Sequence, residues 1–122
     1  MKSLQEYINE SESKTDLSTN KVQPKNKDEL SDIITNAFKN KQYDLNFIDT
    51  SEITDMSWLF ENVKHNFDVS DWDVSNVTDM SYMFAQSEFN GDISSWDVSN
   101  VKDKDDMFHS CPIEEKYKPK FK

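Results

Sequence analysis

The chain has 122 residues and a formal net charge of −10, and its only cations are lysines and two histidines. This balance disfavours direct binding to nucleic acid, because each phosphate contact needs a cation. The absence of arginine excludes bidentate clamps for phosphate or carboxylate groups. Cys111 is the single cysteine, so no intrachain disulfide can form, and no apolar run is long enough for a signal peptide or a membrane span. We therefore expect a cytoplasmic protein that binds neither nucleic acid nor a membrane.

Residues 1–25 predict an N-terminal arm. Leu4, Tyr7 and Ile8 lie at helical spacing, but a helix this short is not stable without a partner. The residues that follow, up to position 25, are rich in Ser, Thr, Lys and Asn, which is typical of a linker. The arm is thus expected to be either flexible or docked on another surface, and the sequence favours neither.

A capping helix is predicted in the next segment, 26–43. Asn26 and Glu29 have the spacing of a capping box, and Pro24 precedes them. An apolar stripe with helical period follows, so we expect a helix over 27–40 that covers one end of the domain. The stripe consists of Leu30, Ile33, Ile34, Ala37 and Phe38.

An internal repeat occupies 44–113. The sequence from Asp68 to Phe84 recurs without a gap from Asp92 to Phe108, and a more diverged copy begins at Asp44. The period is 24 residues, so the segment is predicted to form a solenoid of three repeats. The last repeat is more polar, as expected where no neighbour follows, and 114–122 is left as a basic C-terminal tail.

Two periodicities within each repeat predict a strand followed by a short helix. Trp72 and Val74 alternate with polar residues, whereas Val77, Met80 and Phe84 follow helical spacing. We therefore expect an α/β fold, namely a short, right-handed, leucine-rich-repeat-like solenoid. It would consist of three 24-residue strand–helix units with the N-terminal capping helix.

The repeat motif resembles the bacterial surface-antigen (BspA-like) leucine-rich-repeat family. The resemblance covers about 44–111 and rests on Trp72 to Phe84, Phe89 to Asp92 and Trp96 to Val101. It implies a solenoid with a binding role and supplies no catalytic residues. Members of this family are mostly long surface arrays involved in adhesion, and related repeats occur in phage and mobile-element proteins. With few repeats and neither leader nor anchor, this chain is expected to be a short leaderless member.

Two sets of residues are candidates for contact with a partner. Asp49, Asp73 and Asp97 share one column of the repeat, and Asp71 lies beside it. These carboxylates either form a ladder that binds a basic partner or accept backbone N–H bonds in turns. We favour the bonds in turns as their main role. The second set is an aromatic column of Trp58 and Tyr82, which lies off the predicted apolar stripe. It is interpreted either as an interface anchor or as packing against the neighbouring unit or the N-terminal arm.

Other repeated positions predict a structural role. A ladder of buried side chains is expected at Asn76, Asn100, Trp72 and Trp96. No nucleophile elbow, phosphate loop, metal-ligand pair or cofactor motif is present, so we predict no enzyme, metal or cofactor.

The sequence therefore predicts a non-enzymatic, acidic module that binds one protein partner with a basic surface; its own oligomeric state is left open. Two alternatives remain. The first is a phage-type, anti-CRISPR-like inhibitor that blocks a nucleic-acid-binding host defence protein by occupying its basic surface. The second is a fragment of an adhesin-like surface protein.

Overall fold

The computed structural model describes residues 21–121. In this part of the chain, the α-helix α1 spans Lys27–Lys39 and a short 3-10 helix spans Glu115–Tyr117. Extended structure is limited here to four isolated parallel bridges, with no sheet. The predicted arm therefore lies outside the described residues, apart from its last five positions. None of the helices described here is long and apolar enough to cross a membrane.

Helix α1 begins where the sequence predicts it. The side chain of Asn26 accepts a hydrogen bond from the backbone N–H of Glu29 at 3.0 Å, which satisfies one of the free donors of the first turn. The apolar stripe faces the repeats, and Phe38 packs against Phe67 with ring centroids 5.8 Å apart. At the start of the helix, Lys27 forms a 3.3 Å ion pair with Asp55 of the first repeat. Helix α1 thus covers the N-terminal end of the stack.

The predicted strand–helix unit is wrong, and the leucine-rich-repeat-like α/β fold is wrong with it. Residues 44–113 fold into successive tight turns. In the predicted helix, Met83 donates its N–H to the carbonyl of Met80 at 3.2 Å, three residues back rather than four. In the predicted strand, the N–H of Trp72 closes a turn onto Val69 at 3.1 Å. The apolar spacing correctly indicates which side chains face inward, but it does not indicate which carbonyls the backbone N–H groups bond.

The repeats nevertheless stack one on another. Asp44 bridges Asp68, Asp55 bridges Asp79, and Asp79 bridges Asp103, each pair being 24 positions apart. Side chains of one column therefore meet their equivalents in the next repeat. The phenylalanines at the centre stack at 5.7 Å between ring centroids, with interplanar angles of 9° and 6°. These rings belong to Phe60, Phe84 and Phe108.

One segment of each repeat, which we call the turn ribbon, carries most of this stacking. The turn ribbons are 56–63, 80–87 and 104–111. In the second ribbon, Met83, Ala85 and Ser87 donate their N–H groups to carbonyls three residues earlier. The N–H groups between them point to the next repeat, as when Tyr82 donates to Asp105 and Phe84 to Met107, both at 2.9 Å. Alternate residues thus serve the turn and the stack, which satisfies the backbone without a regular helix or strand.

Three corners of each repeat are closed by an aspartate. Its Oδ1 atom accepts the backbone N–H of the residue two positions later, at 2.9–3.1 Å. This is the Asx-turn geometry, in which a short acidic side chain substitutes for a backbone acceptor. The nine turns begin at Asp44, Asp49, Asp55, Asp68, Asp73, Asp79, Asp92, Asp97 and Asp103.

The basic tail folds back beneath the third repeat. The carbonyl of Tyr117 accepts the N–H of Ile93 at 3.0 Å. Further along, the ammonium group of Lys118 lies 5.2 Å from the ring centroid of Phe108, and Pro119 is buried. The tail therefore covers the last ring of the phenylalanine stack.

Candidate partner-binding surface

The structure brings Trp58 and Tyr82 together on the outside of the stack. Their rings are parallel within 2° and their centroids lie 4.1 Å apart. Trp58 is 48 % exposed, which among the described residues makes it a rare large apolar side chain at the surface, and Tyr82 is half-buried. The pair is thus a flat, rigid aromatic surface that needs no rearrangement before it meets a partner.

Trp58 and Tyr82 both adopt backbone angles that are unfavourable for bulky side chains. The φ angle is 63° at Trp58 and 57° at Tyr82, in the left-handed region where a bulky residue is strained. Each is the third residue of a turn, the position that requires positive φ in a type II turn. Their N–H groups are also bonded to the next repeat, to Ser81 at 3.0 Å and to Asp105 at 2.9 Å. The turn and the stack together impose this conformation and direct the rings outward.

Carboxylates of the third repeat lie beside the aromatic pair. A hydrogen bond with the Asp106 carboxylate raises the pKa of Tyr82, and the charge of Asp106 raises it further, with smaller contributions from Asp105 and Asp103. Asp106 occupies the same column of the repeat as Trp58 and Tyr82. The signal in the sequence for this contact is the 24-residue spacing between Tyr82 and Asp106.

The predicted acidic column lies elsewhere on the repeat. Asp71, Asp73 and Asp97 line a shallow groove of about 310 Å³ between the second and third repeats. A hydrogen bond from the Ser75 hydroxyl is the main reason that the pKa of Asp73 is lowered, and the nearby charge of Asp97 partly opposes it. Asp73 and Asp97 close Asx turns, as Asp49 does at the equivalent corner of the first repeat, where it also accepts a 3.1 Å bond from Gln23.

The aromatic pair and the acidic groove are separate surfaces. Between Asp73 and Tyr82 the chain turns at Val74–Val77, where the two residues share a 3.0 Å backbone bond. It turns again at Asp79, whose carboxylate accepts the N–H of Ser81 at 2.9 Å. The acidic groups that accompany the aromatic pair are therefore Asp103, Asp105 and Asp106 rather than the predicted column.

The ladder positions bond from one repeat to the preceding one. Asn76 donates its side-chain N–H to the carbonyl of Ser51 at 2.8 Å, and Asn100 donates to Ser75 at 2.6 Å. Both asparagines are exposed, although the sequence predicts a buried ladder. The indole N–H groups of Trp72 and Trp96 are buried and donate to Leu45 at 2.9 Å and to Val69 at 3.1 Å.

A further asparagine column, which the repeat pattern did not predict, is formed by Asn66 and Asn90. The side-chain oxygen of Asn66 accepts the N–H of Asn90 at 3.1 Å, and that of Asn90 accepts the N–H of Glu114 at 3.1 Å. The identical residue type 24 positions apart was the available signal.

Two potentially reactive side chains in the described part of the chain, those of His65 and Cys111, are engaged in packing. His65 lies between two aromatic rings, 4.5 Å from Phe38 and 4.7 Å from Tyr43 between centroids. The thiol of Cys111 donates to the carbonyl of Phe89 at 3.2 Å. Within residues 21–121, no group of three or more His, Cys, Asp or Glu side chains is arranged to hold a metal ion.

The structure thus defines a repeat protein of stacked 24-residue units, built from turn ribbons and Asx turns and exposing one aromatic pair. The chain belongs to the family described as Mycoplasma protein of unknown function, DUF285, whose sequence profile matches residues 28–116. Comparison with curated proteins finds no match, and comparison with solved structures finds none.

Proposed function

We propose that this chain is a non-enzymatic binding module that holds one protein partner at the Trp58–Tyr82 pair. The observation that carries the proposal is the exposed aromatic stack, which the fold maintains at two strained backbone positions. Strain of this kind typically costs about 1–3 kcal/mol per residue and persists where the surrounding structure imposes it. Rigid Trp and Tyr side chains are the usual energetic anchors of protein interfaces.

The charge beside the pair indicates the chemistry of the partner. Asp103, Asp105 and Asp106 create a negative potential at the Tyr82 hydroxyl. The repeats as a whole carry most of the chain's excess of Asp and Glu over Lys. A partner with basic side chains around an apolar contact would complement this surface, and its association would be slowed by added salt.

The test compares two pairs of matched variants of the full chain as baits in the native host. We expect a bound protein to be recovered in a one-to-one complex by the wild type, to be lost with Trp58→Ala/Tyr82→Ala, and to be retained with Tyr43→Ala. Tyr43 is a second exposed aromatic residue, 40 % exposed, and packs against Phe38 and His65 rather than against the pair. Asp106→Asn should weaken binding at low salt, whereas Asp71→Asn, in the groove, should not. Equal binding by the double variant and by the wild type would refute the proposal, provided that all variants unfold at similar temperatures.

A second candidate is inhibition of a nucleic-acid-binding host protein, as expected of a phage-type inhibitor. It is supported by the regular acidic columns, in which Asp73 lies close enough to Asp97 for their charges to interact. Such a column offers spaced negative charges to a basic channel. A cytoplasmic location would accompany this function. If the captured partner binds this chain and nucleic acid simultaneously, without competition, the candidate is excluded.

A third candidate is adhesion at a cell surface. It is supported by the resemblance of Trp72 to Phe84 to the BspA-like surface antigens, together with membership of a Mycoplasma family. Surface labelling of intact cells with a membrane-impermeant reagent distinguishes it from the other two, because only an exported protein is labelled.

A further inference from the structure

The tail covers the last ring of the phenylalanine stack only in part. Phe60 and Phe84 are fully buried, whereas Phe108 is half-buried. The ring centroid of Phe60 lies 5.7 Å from that of Trp72, a residue of the following repeat. Phe84 has the equivalent partner one repeat later, Trp96, at 6.2 Å. In the first two repeats, an indole of the following repeat thus helps to cover the phenylalanine.

The third phenylalanine lacks this indole. Trp72 follows Phe60 by 12 positions, but the residue 12 positions after Phe108 is Lys120, which is exposed. Below its ring, Phe108 instead meets the ammonium group of Lys118 at 5.2 Å from the centroid. The third repeat is therefore covered by a smaller group than the two repeats above it.

A cavity of about 190 Å³ lies at this place, between the third ribbon and the tail. Apart from two lysines its lining is apolar, and it includes no Asp or Glu from the described part of the chain. Phe108 and Phe121 are each half-buried, so solvent reaches the cavity. The size and the aromatic walls suit a single ring system, such as the missing indole. The lining residues are Lys104, Met107, Phe108, Lys118, Pro119 and Phe121.

The two lysines of the lining are held by reciprocal contacts between ribbon and tail. Lys104 of the ribbon lies 5.4 Å from the ring centroid of Phe121 in the tail, as Lys118 of the tail does at 5.2 Å from Phe108 in the ribbon. Each ammonium group carries three N–H donors. Lys118 gives one of them to Glu115 at 2.7 Å. Both groups therefore retain donors for an anion that enters the cavity.

The carboxylates around the cavity favour a small anion over an acidic protein surface. Asp105 and Asp106 follow Lys104 in the third ribbon, and Glu114 and Glu115 belong to the tail; all four carboxylates are exposed. A protein surface with several acidic groups would meet these like charges, which opposes association. A single carboxylate can approach the two ammonium groups without bringing further negative charge.

We propose that this cavity is a binding site for a small aromatic carboxylate. Its ring would take the place of the indole that is missing below Phe108, and its carboxylate would accept hydrogen bonds from Lys104 and Lys118. The preformed apolar walls supply the burial, and the charge-assisted bonds orient the ligand. The site is separate from the partner contact proposed at Trp58 and Tyr82, because neither residue lines the cavity.

Indole-3-acetate is the probe, and indole-3-acetamide and tryptamine are an uncharged and a cationic molecule with the same ring. Binding to the full chain is followed by NMR through the methyl group of Met107 and the ring protons of Phe108 and Phe121. Indole-3-acetate should shift these signals saturably at about 1 mM, the affinity expected of a ligand of this size. The amide should bind about tenfold more weakly, because it cannot form the charge-assisted bonds, and tryptamine should not bind.

Matched variants separate the cavity from general attraction to the tail. Lys104→Gln and Lys118→Gln should each weaken binding about fivefold, since each removes one charged donor. Lys120→Gln is the same change at an exposed lysine outside the lining and should leave binding unchanged. Lys120→Trp restores the aromatic residue of the repeat pattern, so it should fill the cavity and abolish binding. The backbone amide spectrum shows whether each variant keeps the fold.

Four results would overturn the proposal. Absence of shifts with indole-3-acetate would exclude the site, and equal binding of the acid and the amide would exclude a role for the lysines. Equal losses in Lys118→Gln and Lys120→Gln, or full binding by a folded Lys120→Trp, would place the ligand outside the cavity. The last result concerns a blocked peptide of residues 70–74, in which Trp72 lies between two aspartates. Tighter binding of this peptide than of indole-3-acetate would make a protein side chain the occupant.

Discussion

Replacement of Gln86 by glycine should stabilise the protein. Gln86 is exposed, is the third residue of the turn closed by Ser87 on Phe84, and has a φ of 57°. Its recorded bonds use only the backbone. The N–H donates to His109 at 2.7 Å, and the carbonyl accepts from Lys64 at 2.6 Å. Gln86→Gly removes the steric conflict of Cβ at this angle and leaves both bonds in place.

The magnitude follows from two opposing effects. A left-handed conformation costs a non-glycine residue about 1–2 kcal/mol. Glycine also has greater conformational freedom in the unfolded chain, which lowers the free energy of unfolding by about 0.5–1 kcal/mol and offsets part of the gain. The expected gain in the free energy of unfolding is therefore about 0.5–1 kcal/mol, or a rise in the melting temperature of about 2–8 °C for a domain of this size.

Equilibrium denaturation of the full chain measures this gain, and two variants serve as controls. Glu88→Gly, two residues later at an exposed position outside the positive-φ set, should lower the free energy of unfolding by about 0.5–1 kcal/mol, because only the entropic cost of glycine applies. Gln86→Ala should remain close to the wild type, since it keeps Cβ. If Gln86→Gly destabilises the protein as much as Glu88→Gly does, the turn ribbon does not impose the strain described here.

Three further outcomes are expected. Ser75→Ala removes the hydroxyl that donates to Asp73 at 2.6 Å, so it should lower the free energy of unfolding in chemical denaturation by about 1 kcal/mol. The control Ser95→Ala should leave that free energy unchanged. Equal losses in the two variants would show that the hydroxyl does not stabilise the Asx turn. Hydrogen bonds lower the pKa of Asp73 in the folded state, and the backbone N–H of its Asx turn is the main cause of a similar shift at Asp68. The stabilisation from these two carboxylates should be complete above their ordinary pKa of 3.8 and lost as the pH falls through the lower folded pKa values. The melting temperature should therefore decrease below about pH 4. Acrylamide should quench fluorescence mainly from Trp58, since the other two indoles are 4–5 % exposed, and Trp58→Phe should remove most of the quenchable fraction; unchanged quenching would place the exposed indole elsewhere.

Local signals in the sequence were sufficient for part of the fold. Asn26 and the apolar stripe that follows it mark the start of α1, because capping and burial on one face are properties of neighbouring residues. The 24-residue period marks the stacking, since equivalent residues must meet in register. The conformation within each repeat could not be read in the same way. Met80, Met83 and Phe84 have helical spacing, yet their side chains face the core from a series of turns whose N–H groups bond outward.

The candidate site was predictable in one respect only. The 24-residue period predicts that Trp58 and Tyr82 share a column, and their position off the apolar stripe predicts that this column is exposed. The positive φ angles could not be predicted, because Trp and Tyr are among the residues least expected there. The predicted acidic column, which contains Asp73, lies on another surface, and the carboxylate beside the pair is that of Asp106.

The alternating bonds of the turn ribbon restrict how the chain can change in length during evolution. Even-numbered residues of 80–87 donate to the next repeat, whereas Met83, Ala85 and Ser87 donate within the ribbon and Ser81 donates to the Asx turn of Asp79. Insertion of one residue in this segment would exchange the two roles for every residue after it. N–H groups that now bond the next repeat would then point into the ribbon, and those that close its turns would point to the next repeat. Duplication or loss of a whole 24-residue unit leaves the assignment unchanged. Genes for such chains are therefore expected to vary by unequal recombination in steps of 72 base pairs, while single-codon insertions in the ribbon are removed by selection.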